Sequence, residues 1–222
     1  MRKLVPFAVM SALLIACGSS SSGSAAPPPS TPLSGTVGGR AFTPVSVQAL
    51  TVGSGSSPCA LPGVGSLGVR AVALEITSYA GACGDLSSSQ CQLHRTSQKV
   101  TILVAKANPV PPQAEPTLTP GTYTVSSSIT AATPEPSGLL DVAYAEAAAP
   151  DPSCLGTAHP SIAGGTVRLD QVSGPITGNV ALRFDDGSSL SGDFSAPLCG
   201  GTPDVCSLAL GGALCAMPAA CQ

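Results

Sequence analysis

Nine cysteines, two histidines and two adjacent aspartates are the residues of this 222-residue chain with the widest chemical repertoire. Thiols can ligate metals, act as nucleophiles or oxidise to disulfides. A zinc site takes three or four ligands from Cys, His or carboxylate, and no Cys-x-x-Cys spacing occurs here. The histidines, His94 and His159, stand far apart in loop-like sequence, and Pro160 follows the second. No metal is expected. Hydrolase chemistry would be signalled by a Gly-x-Ser-x-Gly elbow, which is absent. A Ser-His-Asp triad can be assembled on any fold, so hydrolase stays a third reading behind two non-enzymatic ones, and no catalytic residue is assigned. Asp185 and Asp186 precede Gly187 and read as a turn, since neighbouring strand residues point to opposite faces. Asp170 and Asp193, expected on adjacent strands, could join them into the one carboxylate group worth inspecting for Ca²⁺, although an EF-hand needs a longer run of oxygen ligands. Gly63-Val64-Gly65-Ser66-Leu67-Gly68 fits Gly-x-Gly-x-x-Gly. That motif has meaning between a strand and a helix. Here it lies between a Pro-flanked segment and a β-rich run, so it reads as a loop and no cofactor is expected.

The cysteines divide by position. Arg2 and Lys3 form a short positive region, and Leu4 to Ile15 is a twelve-residue apolar run broken by Pro6 and Ser11. A bilayer-spanning helix needs about 20 apolar residues, so this run has the length of a signal-peptide core. It ends in Leu14-Ile15-Ala16-Cys17, which resembles the lipobox of bacterial lipoproteins. The resemblance implies residues 1–16 as a signal peptide, cleavage between Ala16 and Cys17, a diacylglyceryl group on the Cys17 sulfur and acylation of the new amine. Each buried methylene contributes about 0.8 kcal/mol, and stable anchoring takes two lipid signals. Two or three chains on Cys17 meet that need. Gly18, rather than Asp, follows the cysteine, and in Gram-negative sorting this favours the outer membrane over the inner. The implied partner is the membrane, reached through the lipid; the implied location is the cell envelope, periplasmic or surface-exposed.

Cys17 to Gln222 is 206 residues, enough for one domain. Losing Arg2 and Lys3 would take the formal charge from −3 to −5. A weakly acidic chain with 9% charged residues has no basic footprint for nucleic acid and no polybasic patch for anionic lipid. There is no Trp, and beyond the leader the aromatics are Phe42, Phe184, Phe194, Tyr79, Tyr123 and Tyr144. The core must come from Val, Leu, Ile and Ala, and disulfides are the usual compensation for a thin core. With Cys17 lipidated, Cys59, Cys83, Cys91, Cys154, Cys199, Cys206, Cys215 and Cys221 remain. An even number in an exported chain reads as four disulfides, with 105 possible pairings. The polar Cys83–Cys91 loop is the favoured bridge, with roughly 2.5 kcal/mol of stabilisation by chain entropy. Cys154–Cys199 is a second expectation. Three cysteines crowd the tail over 199–222 after Cys199, so at least one must pair outside it, with Cys59 as a candidate.

Residues 17–33 hold the lipidated Cys and a Ser/Gly/Ala/Pro tether with too little apolar surface to fold, on the order of 22 Å in root-mean-square span. Residues 34–222 read as a single β domain. Val72, Leu74 and Ile76 share one face of a strand, as do Val100, Ile102 and Val104 of another. Asn108 to Pro120 is too Pro-rich to pair. Leu139 to Ala149, within a Pro-rich insert near 134–153, suits a short helix or a strand equally. From Thr166 to Ala196 the alternation is strongest: Val167 and Leu169, then Ile176, Val180, Leu182 and Phe184, then Leu190, Phe194 and Ala196 predict a three-stranded meander.

The fold class is therefore all-β: an antiparallel sandwich or small barrel of about eight or nine strands, stapled by disulfides. The strands lack the aromatic girdles of a membrane-spanning barrel. Gly165-Thr166-Val167-Arg168-Leu169, the Phe184–Gly192 hairpin, its Gly192–Cys199 continuation and the upstream Pro120-Gly121-Thr122-Tyr123 together resemble a recurrent domain of bacterial lipoproteins of unknown function. That resemblance implies a β fold and surface residence and supplies no catalytic residue. The expectation is a non-enzymatic structural or binding module. The alternative is a module for a small apolar ligand or a glycan, which would need a concave apolar cavity beside the meander; its protein or glycan partner is not specified by the sequence.

Overall fold

The computed structural model describes residues 30–55, 59–61, 65–87, 92–128, 132–151, 157–200 and 220–221. Two antiparallel sheets face one another. The first runs in the order β2 (Arg40–Phe42), β1 (Ser34–Val37), β14 (Ser189–Ala196), β13 (Ile176–Phe184), β12 (Ile162–Gln171) and β8 (Gly121–Val125). The second runs β11 (Thr157–Ala158), β10 (Leu140–Pro150), β7 (Lys99–Asn108), β5 (Gly65–Thr77) and β3 (Ser46–Gly53). In it, β4 (Cys59–Leu61) pairs with β5, and β9 (Thr133–Pro134) with β10. A small parallel pair joins β6 (Gln92–Leu93) to β15 (Ala220–Cys221). The only helix among the described residues is α1 (Ala82–Ser87), and none is long and apolar enough to cross a membrane. The two sheets do not close into a barrel, so of the two expected architectures the chain adopts the sandwich. Eight of its strands have five or more residues.

The alternation of apolar side chains builds the layer between the sheets. Val72, Leu74 and Ile76 of β5 and Val100, Ile102 and Val104 of β7 meet Val167, Leu169, Val180, Leu182, Phe184, Leu190 and Phe194 from β12–β14 in one buried cluster. The predicted meander is present: Val167 stands opposite Val180, and Val180 opposite Gly192. Its hairpin closes at Gly187, whose φ of 82° a side-chain-bearing residue seldom adopts. The Asp186 carboxylate accepts from the Ser188 N–H and hydroxyl. Tyr123 is buried by the register of β8, and its hydroxyl donates to the Thr119 carbonyl at 2.6 Å. This ties the Pro120-Gly121 corner to the strand after it, in the manner of a tyrosine corner.

Leu139 to Ala149 is a strand, not a helix. As β10 it pairs with β7 from Leu140 opposite Ala107 to Ala148 opposite Lys99, and so it is integral to the sheet rather than inserted beside it. Ala143, Ala145, Ala147 and Ala149 point into the shared core. Its helix propensity yields to the long β7 edge, where pairing satisfies its backbone groups. The Gly63–Gly68 motif, expected as a loop, instead enters β5 at Gly65 and pairs with β4, where Cys59 stands opposite Leu67.

Two corners join the sheets. At one, Ser126 N–H donates to the Ala143 carbonyl at 2.9 Å. At the other, the chain leaving β14 lies along the edge of β3: Ala49 N–H donates to Pro197 O at 3.0 Å, and Cys199 N–H donates to Ala49 O at 2.7 Å. The N-terminal segment is anchored before β1 begins. Thr31 N–H donates to the Asp193 carboxylate at 2.7 Å, and Asp193 N–H donates back to Thr31 O. Gly192 makes room for this crossing: a Cβ there, at φ of 135°, would lie 2.5 Å from the Leu33 Cα.

Candidate functional site

Cys17, Cys91, Cys154, Cys206 and Cys215 lie outside the described residues, and of Cys221 only its place in β15 is described. Cys83 does not bridge Cys91, nor Cys199 Cys154, because Cys83 and Cys199 bond to each other across 116 residues. Two placements bring them together. Residues 82–87 wind into α1 and pack on β3, and the Ala49 hydrogen bonds hold Cys199 against the same strand. Gln48 Oε1 lies beside both sulfurs, 3.3 Å from Cys83 Sγ and 4.0 Å from Cys199 Sγ. Cys59 is disulfide-bonded as well.

The four aspartates do not gather. Strand β13 lies between β12, which carries Asp170, and β14, which carries Asp193. Asp170 takes both ends of the Arg168 guanidinium, at 2.9 and 3.1 Å, and this pairing raises the Arg168 pKa. Asp193 accepts from Asn179 Nδ2 at 2.7 Å and from Thr31 N–H. Those two donors hold its pKa below the usual carboxylate range. Asp185 accepts from Ser161 N–H, and Asp186 closes its turn. Among the described residues no three His, Cys, Asp or Glu side chains are placed to hold a metal. The His94 ring packs against Tyr79 with centroids 3.9 Å apart and ring planes tilted by 40°, and His159 is exposed after β11. Gly65 to Gly68, the described part of the glycine motif, opens β5 as a strand.

Two polar groups not anticipated from the sequence organise the second sheet. One is a row on its outer face. Gln48 stands opposite Glu75, Glu75 opposite Thr101, and Thr101 opposite Glu146, across β3, β5, β7 and β10. Lys99, two residues from Thr101 on β7, brings its Nζ to 3.9 Å from Glu75 Oε2. Glu75 is 2% exposed and Lys99 7%. Burial pushes the Glu146 carboxyl above its usual range, against the pull of the Tyr144 hydroxyl, Lys99 and His159. Tyr144 donates to Glu146 Oε2 at 3.0 Å, and burial beside that carboxylate raises the phenol pKa too. Much of the rest of this face is apolar: Leu50, Val69, Ala71, Ala73, Leu103 and Ala105 are buried there against Cys59, Leu86 and Cys199.

The other group closes one end of the space between the sheets. Lys106 is directly opposite Asp141 on β10 and Arg70 on β5. Its ammonium donates to Asp141 Oδ1 at 2.9 Å and to Glu135 Oε1. Burial alone would lower the Lys106 pKa, but the two carboxylates outweigh it and hold the pKa above its ordinary value. The same ammonium draws the Glu135 pKa down. Arg70 reaches Glu115 Oε1 at 3.1 Å, and the other Glu115 oxygen accepts from Gly55 N–H. The Pro-rich 109–120 segment is thereby strapped over the ends of β3 and β5. Two cations thus meet three carboxylates at the rim of the core.

One signal in the sequence points to these groups. Between Ala71 and Ile76 apolar residues occupy both parities, the mark of a strand covered on both faces, and a lone Glu75 in such a run must be buried and partnered. Compared with protein-family models, with curated proteins and with solved structures, the chain matches none.

Proposed function

We propose that this chain is a lipid-anchored protein of the bacterial cell envelope, held through Cys17, whose β-sandwich serves as a non-enzymatic structural or binding module. The observation that carries the reading is the order Arg2-Lys3, apolar run, Leu14-Ile15-Ala16-Cys17 at the N-terminus. Two features of the sandwich are consistent with it. The long-range Cys83–Cys199 disulfide suits an oxidising compartment. Thr31 and Pro32, expected within the 17–33 tether, instead pair with Asp193 of the domain, so the reading shortens the tether to the Ser/Gly/Ala/Pro stretch before Thr31. Gly18 after the lipidated cysteine favours the outer membrane.

Between structural support and capture of an apolar ligand in the sandwich interior, packing favours the former. Val180, Leu182, Phe184 and Phe194 are each at most 6% exposed, and they fill the layer where such a ligand would sit. The test is partitioning: full-length protein expressed in a Gram-negative host should fractionate with the outer membrane and enter the detergent phase on extraction. Cys17→Ser should leave the uncleaved leader in place and abolish lipid labelling. A wild-type chain recovered in the aqueous phase without acyl label would refute the proposal.

A further inference from the structure

We infer that the Cys83–Cys199 disulfide is a redox latch: opening it releases the 197–199 segment from β3, while the sandwich stays folded. Among the described residues, the segment is otherwise held by two backbone hydrogen bonds and by the buried Cys199 side chain. Strand β3 ends the second sheet, with β5 its full-length neighbour. Its other side is covered at Ala49 by two hydrogen bonds, Ala49 N–H to Pro197 O and Cys199 N–H to Ala49 O. Leu198, between the two, is 41% exposed, so it adds little burial to the contact. The covalent link to Cys83 fixes the segment to the six-residue α1, which rests on the same strand. The meander, by contrast, is held by continuous ladders and by Val167, Val180, Leu182 and Phe184 in the shared core, none of which depends on the latch. Regions with few buried contacts open first and by themselves.

The opening step is thiol–disulfide exchange with a dithiol. A thiolate of the dithiol attacks one sulfur of the Cys83–Cys199 bond, and the other sulfur leaves as a thiolate and takes up a proton. The second thiol of the donor then displaces the first cysteine and closes the donor's own disulfide. Two electrons and two protons pass from the dithiol to the two cysteines.

The experiment uses the full-length protein and dithiothreitol, added in steps under native conditions. Alkylation and peptide mapping identify which bridge has opened at each step, and amide hydrogen exchange is read at the same points. Once Cys83 and Cys199 become alkylated, the amides of Ala49 and Cys199 should exchange roughly 100-fold faster, with those of Val180 and Leu182 unchanged. Cys83→Ser/Cys199→Ser should show the same local acceleration without reductant. Continued protection of Ala49 and Cys199 after the bond opens would overturn the latch. So would acceleration of Val180 and Leu182 in step with them, in either the reduced protein or the double variant, because the bond would then be a staple of the whole fold.

Discussion

Lys106 and Asp141 face each other across β7 and β10, 2.9 Å apart, at the rim of the inter-sheet core. Glu135 completes the group from β9's flank. Lys106→Ala should cost about 1–2 kcal/mol at neutral pH, a value discounted for the partial exposure of both acids, while Lys106→Met should cost less because its stem still covers the core. The Lys106 pKa is raised in the fold, so its contribution is fully present below the unfolded value and is lost as pH rises through the folded one. Urea denaturation from pH 8 to 11 should show wild type losing stability at the alkaline end and Lys106→Met losing none from this source.

Glu146 carries the opposite relation to charge. Burial raises its pKa, so ionisation at neutral pH opposes folding; the contribution is present below the unfolded carboxyl value and fades as pH rises through the folded value. Glu146→Gln keeps an oxygen to accept from Tyr144 and should stabilise the protein at pH 7 by on the order of 1 kcal/mol. Melting curves at pH 7 and pH 3.5 check this: the gain should be present at the first and vanish at the second.

Gly192 is required where the N-terminal segment crosses β14. An added methyl would meet the Leu33 Cα at 2.5 Å and Pro32 O at 2.6 Å, with φ at 135°. Both neighbours are backbone, which cannot swing aside as a side chain would. Gly192→Ala should therefore destabilise by about 2–4 kcal/mol, measured by urea denaturation. Gly187→Ala, at φ of 82° in open space, should cost less, about 1 kcal/mol.

Asp193 pins the start of the domain. Asp193→Ala removes the acceptor of Thr31 N–H and of Asn179. Amide exchange at Thr31 should quicken in this variant, and limited proteolysis should begin closer to Ser34. Because the Asp193 pKa is lowered, the wild-type contact should hold at neutral pH and be lost as pH falls through the depressed folded value. Unchanged protection of Thr31 in the variant at pH 7 would show that the segment is held by other contacts.

Much of the β architecture is legible in the sequence because period-two alternation reports which side chains share a face. The triplets Val72-Leu74-Ile76 and Val100-Ile102-Val104 end on the inner faces of adjacent strands for this reason, and Asp186-Gly187 marks the β13–β14 hairpin. Alternation does not say what covers the opposite face. The outer row of Gln48, Glu75, Thr101 and Glu146 depends on the lateral order β3-β5-β7-β10, which pairs residues 27, 26 and 45 positions apart in turn. Cysteine pairing is hidden for the same reason. Proximity in sequence favours Cys83–Cys91, whereas the fold delivers Cys199 to Cys83 through the β14–β3 corner. Asp170 and Asp193 were expected on neighbouring strands, and the intervening β13 separates them.

The most direct measurement is the intact mass of protein extracted from membranes, taken before and after reduction with alkylation. The account predicts a chain beginning at Cys17 with added acyl mass. It also predicts eight cysteines that accept alkylating reagent only after reduction, and a crosslinked peptide pair containing Cys83 and Cys199. A chain beginning at Cys17 without acyl mass, or thiols alkylated before reduction, would contradict it.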